Sequence, residues 1–289
     1  MHGPSSRSLS LLTLAIALAA TSIVSRRARA QQPEAKQPEK QEEGPDVGDL
    51  AKTSQNPVGD LMAFPFQFNW LGAGGYGGQT LFNLNFQPVV PIKAGDRWTI
   101  ISRTIVPYFN VPAGTGRVTG MGDIEEQTFL TPQKPGTIIW GAGPIFSLPT
   151  ATNTAVATGT WGLGVDGVVL SMPGNWVLGA LLTQTWTIAG DRTQPNVTDF
   201  LLQYFVNYNL PGGWALTTAP SITANWDAPS GQKWTVPFGG GFTRTTIVFG
   251  KQPISVGAQY YYNVVHPDAA AAWNLRFTLS LLFPTKKKK

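Results

Sequence analysis

The side chains that could carry catalytic or metal chemistry are few in this sequence. Cysteine is absent, and histidine occurs only at His2 and His266. A serine-hydrolase site needs a histidine base beside its nucleophile and a third group that orients the base, whereas His266 lies in a predicted loop next to Pro267 and Asp268. The sequence therefore predicts no enzyme activity, no cofactor and no thiolate or histidine-rich metal site. An all-carboxylate calcium site stays open.

A second set of polar side chains shares the less apolar face of the predicted strands. Along a strand, successive side chains point to opposite faces, so residues i and i+2 lie together. If the strands close into a barrel, this polar set lines the interior. Its members are Arg103, Asp123, Glu125, Gln127, Asp166, Gln203, Asn207, Gln259, Asn263 and Arg276.

Two interpretations of this interior remain open. One is a narrow polar path in which a few charges tune selectivity. The other is a hydrogen-bonded plug, because a barrel of this size is partly filled by its own side chains. Asp123 and Glu125 face Arg103 on the preceding strand, with Asp166 as a further partner, and this arrangement predicts paired charges. The candidate solute path consists of Arg103, Asp123, Glu125, Asp166, Gln203, Asn207 and Arg276.

Composition restricts the elements that could position these side chains. Charged residues make up only 13% of the chain, and ten tryptophans are present. Soluble domains carry roughly 25% charged residues. Beyond residue 30, no run of 18 apolar residues is long enough to cross a bilayer as a helix. Because backbone groups in lipid must be hydrogen-bonded internally, a closed β-barrel is the remaining way to span a membrane.

The formal net charge of +5 is concentrated at the two ends of the chain. The first 30 residues contain four arginines and no acid, so the remainder carries +1, and residues 286–289 are four lysines. The body between these ends is slightly acidic. Nucleic acid is therefore not an expected partner.

The ends of the chain predict an exported protein. Residues 1–30 combine a basic start, the apolar stretch Leu11–Ala20 and a small-residue cleavage site, as in a secretory signal peptide. The apolar stretch is too short for the alternative, a transmembrane anchor. Residues 31–58 are rich in Gln, Glu, Lys and Pro, which predicts a disordered periplasmic leader. The predicted barrel occupies residues 59–284, and a basic tail follows at 285–289.

From about Leu61 to Phe283, large apolar residues alternate with small or polar ones, the period of two that indicates β-strands. Each segment is close to the roughly 9–11 residues that a tilted membrane strand needs. The predicted fold is an all-β, antiparallel transmembrane barrel of about 12 strands. The segments lie near 61–70, 80–90, 97–107, 120–131, 137–148, 160–171, 175–187, 198–209, 213–226, 233–243, 252–264 and 273–283.

The connections between these segments alternate between short and long. Short periplasmic turns and longer extracellular loops are typical of outer-membrane barrels. Tryptophans lie near both kinds of connection, which predicts an aromatic girdle at each membrane interface. A soluble β-sandwich, whose strands also alternate, has no need of two girdles. Tight turns are predicted at 94–96, 134–136, 173–175, 211–213 and 249–251, and loops at 71–79, 108–119, 149–159, 188–197, 227–232 and 265–272.

Two positions do not fit strict alternation. Glu126 would face lipid in mid-strand, at a real energetic cost, and a β-bulge that turns it inward is the preferred explanation. The orientation of the 175–187 strand stays open, because Gln184 shares its parity with Trp176 and Leu178.

Several short motifs resemble one group of known proteins. Over most of residues 60–283 the chain resembles the bacterial outer-membrane proteins grouped with phenol meta-pathway degradation proteins and, more distantly, long-chain fatty-acid transporter barrels. The resemblance implies an outer-membrane location and the passage of hydrophobic or aromatic compounds, but it assigns no binding residue. The chain departs from the group at Glu125-Glu126 and in its lysine tail. The matching motifs lie at 120–123, 140–144, 148–150, 160–162, 207–214, 225–226, 250–253 and 260–263.

The leading expectation is a passive channel or transporter for small hydrophobic or aromatic compounds in the outer membrane of a Gram-negative bacterium. The alternative is a closed structural or interaction barrel whose loops or leader bind a partner. The loop at 149–159 separates the two: folded inward it would gate or plug the barrel, and outward it would form an adhesive surface. Expected partners are outer-membrane lipid, the barrel-assembly machinery acting on the last strand, and a small hydrophobic ligand.

Overall fold

The computed structural model describes residues 46–72, 78–190 and 198–284. The predicted signal peptide, the first part of the leader and the basic tail lie outside the described residues. Within the described ranges, no helix is both long and apolar enough to cross a membrane. Two short 3-10 turns lie at Thr154–Val156 and Pro211–Gly213. The other elements are α1 (Val47–Thr53), β1 (Met62–Gly72), β2 (Leu81–Phe86), β3 (Val89–Ala94), β4 (Trp98–Ala113), β5 (Gly116–Met121), β6 (Ile124–Pro132), β7 (Ile138–Leu148), β8 (Thr160–Ser171), β9 (Trp176–Gly190), β10 (Thr198–Asn209), β11 (Trp214–Thr218), β12 (Ser221–Asn225), β13 (Trp234–Val248), β14 (Gln252–Val265) and β15 (Trp273–Phe283).

The strands form one antiparallel sheet that closes on itself. The first strand, β1, pairs with the last, β15, from Met62 opposite Phe283 to Gly72 opposite Trp273. Strands that follow one another in the chain are neighbours around the ring, and β9 with β10 completes it. Three barrel strands are each interrupted once, so that β2 with β3, β5 with β6, and β11 with β12 act as single strands. The barrel therefore has twelve strands, which confirms the predicted fold class.

Each interruption coincides with a residue that weakens a β-ladder. Pro88 and Pro220 have no N–H to donate, and Gly122 has no side chain to pack. Backbone hydrogen bonds continue beside two of the breaks, from Thr104 N–H to the Pro88 carbonyl at 3.2 Å and from Gly122 N–H to the Pro107 carbonyl at 2.9 Å. The wall therefore stays closed where the chain bends.

The two faces of the wall differ in the way that the alternation predicts. On β8, Leu163, Val165 and Val169 are exposed on the outside, whereas Asp166 and Val168 are buried on the inside. Other strands expose large apolar side chains on the same outer surface, which is the surface that lipid solvates better than water does. A β-sandwich would bury these residues between two sheets, and the single closed sheet excludes that alternative.

Aromatic side chains cluster at both ends of the barrel. At the end that carries the tight turns, here called the turn end, the rings of Trp98 and Trp140 lie 6.1 Å apart. At the opposite loop end, the rings of Trp226 and Trp234 lie 5.3 Å apart, and the Trp226 indole donates to Gln184 at 3.0 Å. Gln184 therefore faces outward, which fixes the orientation of β9.

Apolar side chains fill part of the interior. They come from the wall between β4 and β10 and from the segment before β1. Fully burying one such side chain stabilises a fold by about 1.5–3 kcal/mol, so this cluster anchors one side of the barrel and the cavities lie beside it. Its buried members are Val58, Ile101, Phe129, Val168, Leu170, Val177, Leu181 and Phe205.

Residues 46–58 correct the expectation of a disordered leader. They contain α1, which Asp46 caps by accepting a backbone hydrogen bond at 3.0 Å, and Leu50, Ala51 and Val58 are buried. Composition predicted too little order because a short helix draws its stability from tertiary packing rather than from its own propensity. Here the burial of three apolar side chains stabilises the segment.

Glu126 corrects a second expectation. Strand β6 pairs with β4 in unbroken register through this position, with Thr104 opposite Glu126, so the carboxylate keeps its outward parity without a bulge. The hydroxyls of Ser102 and Thr104 each donate to it at 2.6 Å. The predicted bulge is wrong because two hydroxyls on the neighbouring strand satisfy the carboxylate where it stands.

Candidate functional site in the barrel interior

Two cavities that the described residues line lie one beyond the other along the barrel interior. The outer cavity, towards the loop end, has a volume of about 580 Å³, and the inner cavity, towards the turn end, has a volume of about 250 Å³. The two cavities adjoin, and we call the set of residues that line both of them the waist. The waist consists of Gln67, Gln87, Arg103, Leu181, Gln203 and Arg276.

Arg276 reaches across the interior to a strand three positions away in the ring. Its Nε–H donates to Asn69 on the neighbouring strand at 3.1 Å, and its Nη1 donates to the carbonyl of Ala219, between β11 and β12, at 3.4 Å. Gln203 donates to the same carbonyl at 3.2 Å. The guanidinium also lies 5.3 Å from the centre of the Tyr261 ring, a favourable cation–π distance. These hydrogen bonds link β15, across the interior, to the break between β11 and β12.

Arg103 supplies the second positive charge of the waist. Its Nη2 donates to the side-chain oxygen of Gln87 at 2.7 Å. The negative charges of Asp166 and Glu125 and the positive charge of Arg276 all act on it. Arg103 therefore hydrogen-bonds to the side-chain amide of Gln87, and Asp166 and Glu125 attract it only at longer range.

Asp166 is buried on the inner face of β8, beneath Gln127 and Thr183, and lines neither cavity. It is only 4% exposed, and its Oδ1 accepts from the Thr183 hydroxyl and from Gln127 Nε2 at 3.4 Å. Among the described residues, Asp166 Oδ2 and Gln127 Oε1 have no hydrogen-bond partner. Unsatisfied buried acceptors cost free energy, and the positive charge of Arg103 offsets part of that cost.

Asp123 lies outside both cavity linings, which corrects its assignment to the path and its pairing with Arg103. Its carboxylate accepts hydrogen bonds from Ala151 N–H at 3.0 Å and from the N–H and hydroxyl of Thr158, both at 2.7 Å. The reason is the break between β5 and β6, which directs this side chain to the loop at 149–159. Thr152 exchanges hydrogen bonds with Met121 of β5, and a Cβ added at Gly120 would meet Thr152, Asn153 and Val156, so the loop packs against β5. Among the described lining residues of the two cavities, none belongs to this loop.

The other predicted path residues lie on the cavity surfaces. Glu125 borders the outer cavity, Gln203 belongs to the waist, and Asn207 borders the inner cavity, where it accepts from the Thr217 hydroxyl. Gln127 borders the outer cavity. That a solute passes these residues stays a prediction.

Three waist residues, Gln67, Gln87 and Leu181, were not among the predicted path residues, and neither were Asn69 and Ala219, which accept hydrogen bonds from Arg276. Gln67 and Asn69 lie on the polar face of β1, so their parity was a usable signal. Gln87 shares the parity of Asn83 and Asn85, so the same signal applied to it. Ala219 lies at a strand break and contributes its backbone carbonyl, which side-chain alternation does not predict.

The segment before β1 closes the inner cavity at the turn end. We call residues 46–61 the plug segment, because residues 54–57 and Leu61 line this cavity. The side-chain amides of Gln55 and Asn209 exchange hydrogen bonds at 2.9 and 3.3 Å. A solute leaving the inner cavity towards the turn end would have to displace this segment.

Further contacts fix the plug segment to the wall. Lys52 Nζ donates to the carbonyls of Met172 and Gly174, in the turn after β8, at 2.9 and 2.6 Å. Val58 packs against Gly141. A Cβ atom added at Gly141 would lie only 3.1 Å from Val58 Cγ1. Glycine at position 141 therefore leaves the space that Val58 occupies.

Charged side chains are distributed unevenly between the cavities. The outer cavity is bordered by Arg103, Glu125, Asp199, Lys233 and Arg276. Among the described residues, Arg103 and Arg276 are the charged side chains that border the inner cavity. In the part of the chain that the structure describes, no group of three His, Asp or Glu side chains could hold a metal ion.

Comparisons with known proteins agree with the fold. No family description and no curated protein sequence matches this chain. A COG4313 outer membrane channel from Pseudomonas putida F1 is similar in structure, with a TM-score of 0.59 and 14% identity over 77% of this chain and 94% of that one. The NanC porin has a TM-score of 0.49 and 8% identity over 78% of this chain and all of the other. The former likeness concerns the fold alone, and the resemblance to the phenol meta-pathway group is not confirmed.

Proposed function

We propose that this chain is an outer-membrane channel through which small hydrophobic or aromatic molecules diffuse. The observation that carries the proposal is the interior, where two cavities of about 580 and 250 Å³ meet at the waist. Protein interiors are otherwise close-packed, and a barrel with a purely structural role would gain stability by filling this volume. Keeping it open supports the passage of a solute.

The surroundings of the cavities support the same proposal. The outward apolar face and the aromatic clusters at both ends suit a bilayer. The outer cavity sets Ile105, Ile145 and Leu201 beside glutamine and threonine side chains, a mixture that suits a small molecule with an apolar body. Export by residues 1–30 and assembly through β15 belong to the proposal.

A second candidate is a closed barrel that presents its loops or the plug segment to a partner. The observation that favours it is the closure of the inner cavity by residues 54–57. The two candidates differ in whether the plug segment leaves its place.

Single-channel recording in a planar lipid bilayer tests both candidates, using protein shown to be folded by its heat-dependent migration in gels. We expect discrete, reproducible conductance steps. Lys52→Ala should make openings more frequent, because it removes two hydrogen bonds of the plug segment, while Lys93→Ala on β3 serves as the control. Silence from both the wild type and Lys52→Ala would contradict the channel and favour the closed barrel.

A further inference from the structure

We propose that the inner cavity binds a small organic carboxylate, with its charged group on Arg103 and Arg276 and its apolar part against the walls below the waist. The inference rests on the proposed function, because it names the class of molecule that the same path accepts. A carboxylate attached to a single aromatic ring, such as benzoate, is the representative ligand.

The charge balance of the inner cavity carries the argument. Two guanidinium groups border it, and none of its described lining residues is an aspartate or a glutamate. The nearby acids do not border it: Glu125 and Asp199 border the outer cavity, and Asp166 is buried on the inner face of β8, from where it and Glu125 attract Arg103 at longer range. Charges withdrawn from bulk water require compensation, and a bound anion would supply it on this side of the waist.

The geometry of the two arginines suits a carboxylate. A guanidinium has five N–H donors, arranged in a planar fork that matches two carboxylate oxygens. Among the described residues, Arg103 donates one side-chain hydrogen bond and Arg276 donates two, all to neutral acceptors. The bond from Arg276 to Ala219 is long, at 3.4 Å. A charged acceptor makes shorter and stronger bonds than a neutral carbonyl, so a carboxylate competes well for these donors.

The walls below the waist suit an apolar body. They combine large apolar side chains with uncharged Ser, Thr, Asn and Gln, and the plug segment closes the floor. Inorganic anions would engage the arginines but leave this apolar surface unused. The volume of about 250 Å³ fits a single ring better than a long acyl chain. The large apolar residues are Leu61, Val89, Leu181, Phe205 and Leu282.

Isothermal titration calorimetry on the folded, full-length chain tests the site. Benzoate is compared with benzyl alcohol, which lacks the charge, and with acetate, which lacks the ring. We expect benzoate to bind most tightly, and Arg103→Gln or Arg276→Gln to weaken it about 10- to 100-fold. Benzyl alcohol binding should not respond to either change.

Arg244→Gln is the matched control, because Arg244 lies over the Trp214 ring at 5.1 Å and borders neither cavity. It should keep the wild-type affinity for benzoate. If a glutamine variant does not fold, Arg276→Lys replaces it and should weaken benzoate binding less than tenfold, because the charge stays while the planar fork is lost. Equal binding of benzoate and benzyl alcohol, or benzoate binding unchanged in the arginine variants, overturns the site.

Failure of this site and failure of the channel are distinguishable. Conductance steps without charge-dependent benzoate binding would overturn the carboxylate site and leave the channel. Benzoate binding that depends on the arginines, from a folded barrel that never conducts, would support the site and count against the channel.

Discussion

Single side chains in this barrel depend on partners that lie on neighbouring strands. Glu126 tolerates its outward position because Ser102 and Thr104 each donate to it at 2.6 Å. The waist follows the same rule, since Arg276 takes its partners from β1 and from the break between β11 and β12. For both residues, the hydrogen-bond partners on other strands account for how a charged side chain is tolerated at its position.

The partners of Glu126 give a prediction at the residue scale. The double change Ser102→Ala and Thr104→Ala leaves the carboxylate outward without either hydroxyl. A hydrogen bond to a charged group is worth about 1.5–3 kcal/mol, so we expect the free energy of unfolding in lipid vesicles to fall by at least about 2 kcal/mol. Guanidinium-induced unfolding followed by tryptophan fluorescence measures it.

Glu126→Leu provides the control for that experiment. In this background the same two alanine changes should cost little, because the charge that the hydroxyls satisfy is gone. An equal loss of stability in both backgrounds would show that the hydroxyls act through something other than Glu126.

The strand breaks and the plug segment are the elements that shape the interior. The break at Pro220 brings the Ala219 carbonyl to Arg276 and Gln203, and the break at Pro88 frees Gln87 to bind Arg103. The plug segment then closes the space below the waist. These irregular elements therefore add a backbone carbonyl, a glutamine side chain and the plug segment to an interior that the regular strands line with both polar and apolar side chains.

The plug segment gives a prediction at the scale of elements. The chain has no cysteine, so Gln55→Cys with Asn209→Cys introduces one reactive pair where the two amides meet at 2.9 Å. Joining the pair with a short, reducible thiol cross-linker should abolish conductance, because the segment can no longer leave the turn end. Dithiothreitol should restore it.

The two single-cysteine variants, treated with the same reagent, control for modification without cross-linking. They should conduct as the untreated protein does. Conductance that persists after complete cross-linking would mean that solutes leave the barrel without moving the plug segment.

The part of the chain that the structure describes forms a closed ring with an apolar outer face and a partly open interior. Closure pairs the first strand with the last, so the described sheet does not end in two open edge strands, which lipid would not tolerate. The apolar outside is exposed on several strands, including β7 and β8. A bilayer accounts for this surface, whereas a protein dissolved in water would expose it at considerable cost.

Insertion into a bilayer gives a prediction at this largest scale. Val165 lies midway along β8 and Ile138 begins β7, and both face outward, with 53% and 61% of their surfaces exposed. Arginine on a lipid-facing strand costs about 2–4 kcal/mol at the bilayer midplane and about 0–1 near the interface. Unfolding in vesicles should therefore show a larger loss for Val165→Arg than for Ile138→Arg. Equal, small losses would place the outer face in water.

The amino-acid sequence by itself was sufficient to predict a closed ring of antiparallel β-strands. Alternation, turn chemistry and the tryptophan positions are properties of consecutive residues, because side chains on a strand point to opposite faces every second position. They were sufficient for twelve strands and for placing Arg103, Glu125, Gln203, Asn207 and Arg276 on the inside. They also excluded a helical span, because no apolar run was long enough.

Only the tertiary structure decided how the interior is divided. The waist joins residues from β1, β4, β10 and β15, and its geometry depends on strand breaks that end the alternation. The plug segment folds because three apolar side chains meet the barrel wall, and Glu126 stays outward because two hydroxyls lie on the adjacent strand. Each outcome depends on contacts between residues far apart in the chain, and local periodicity cannot encode such contacts.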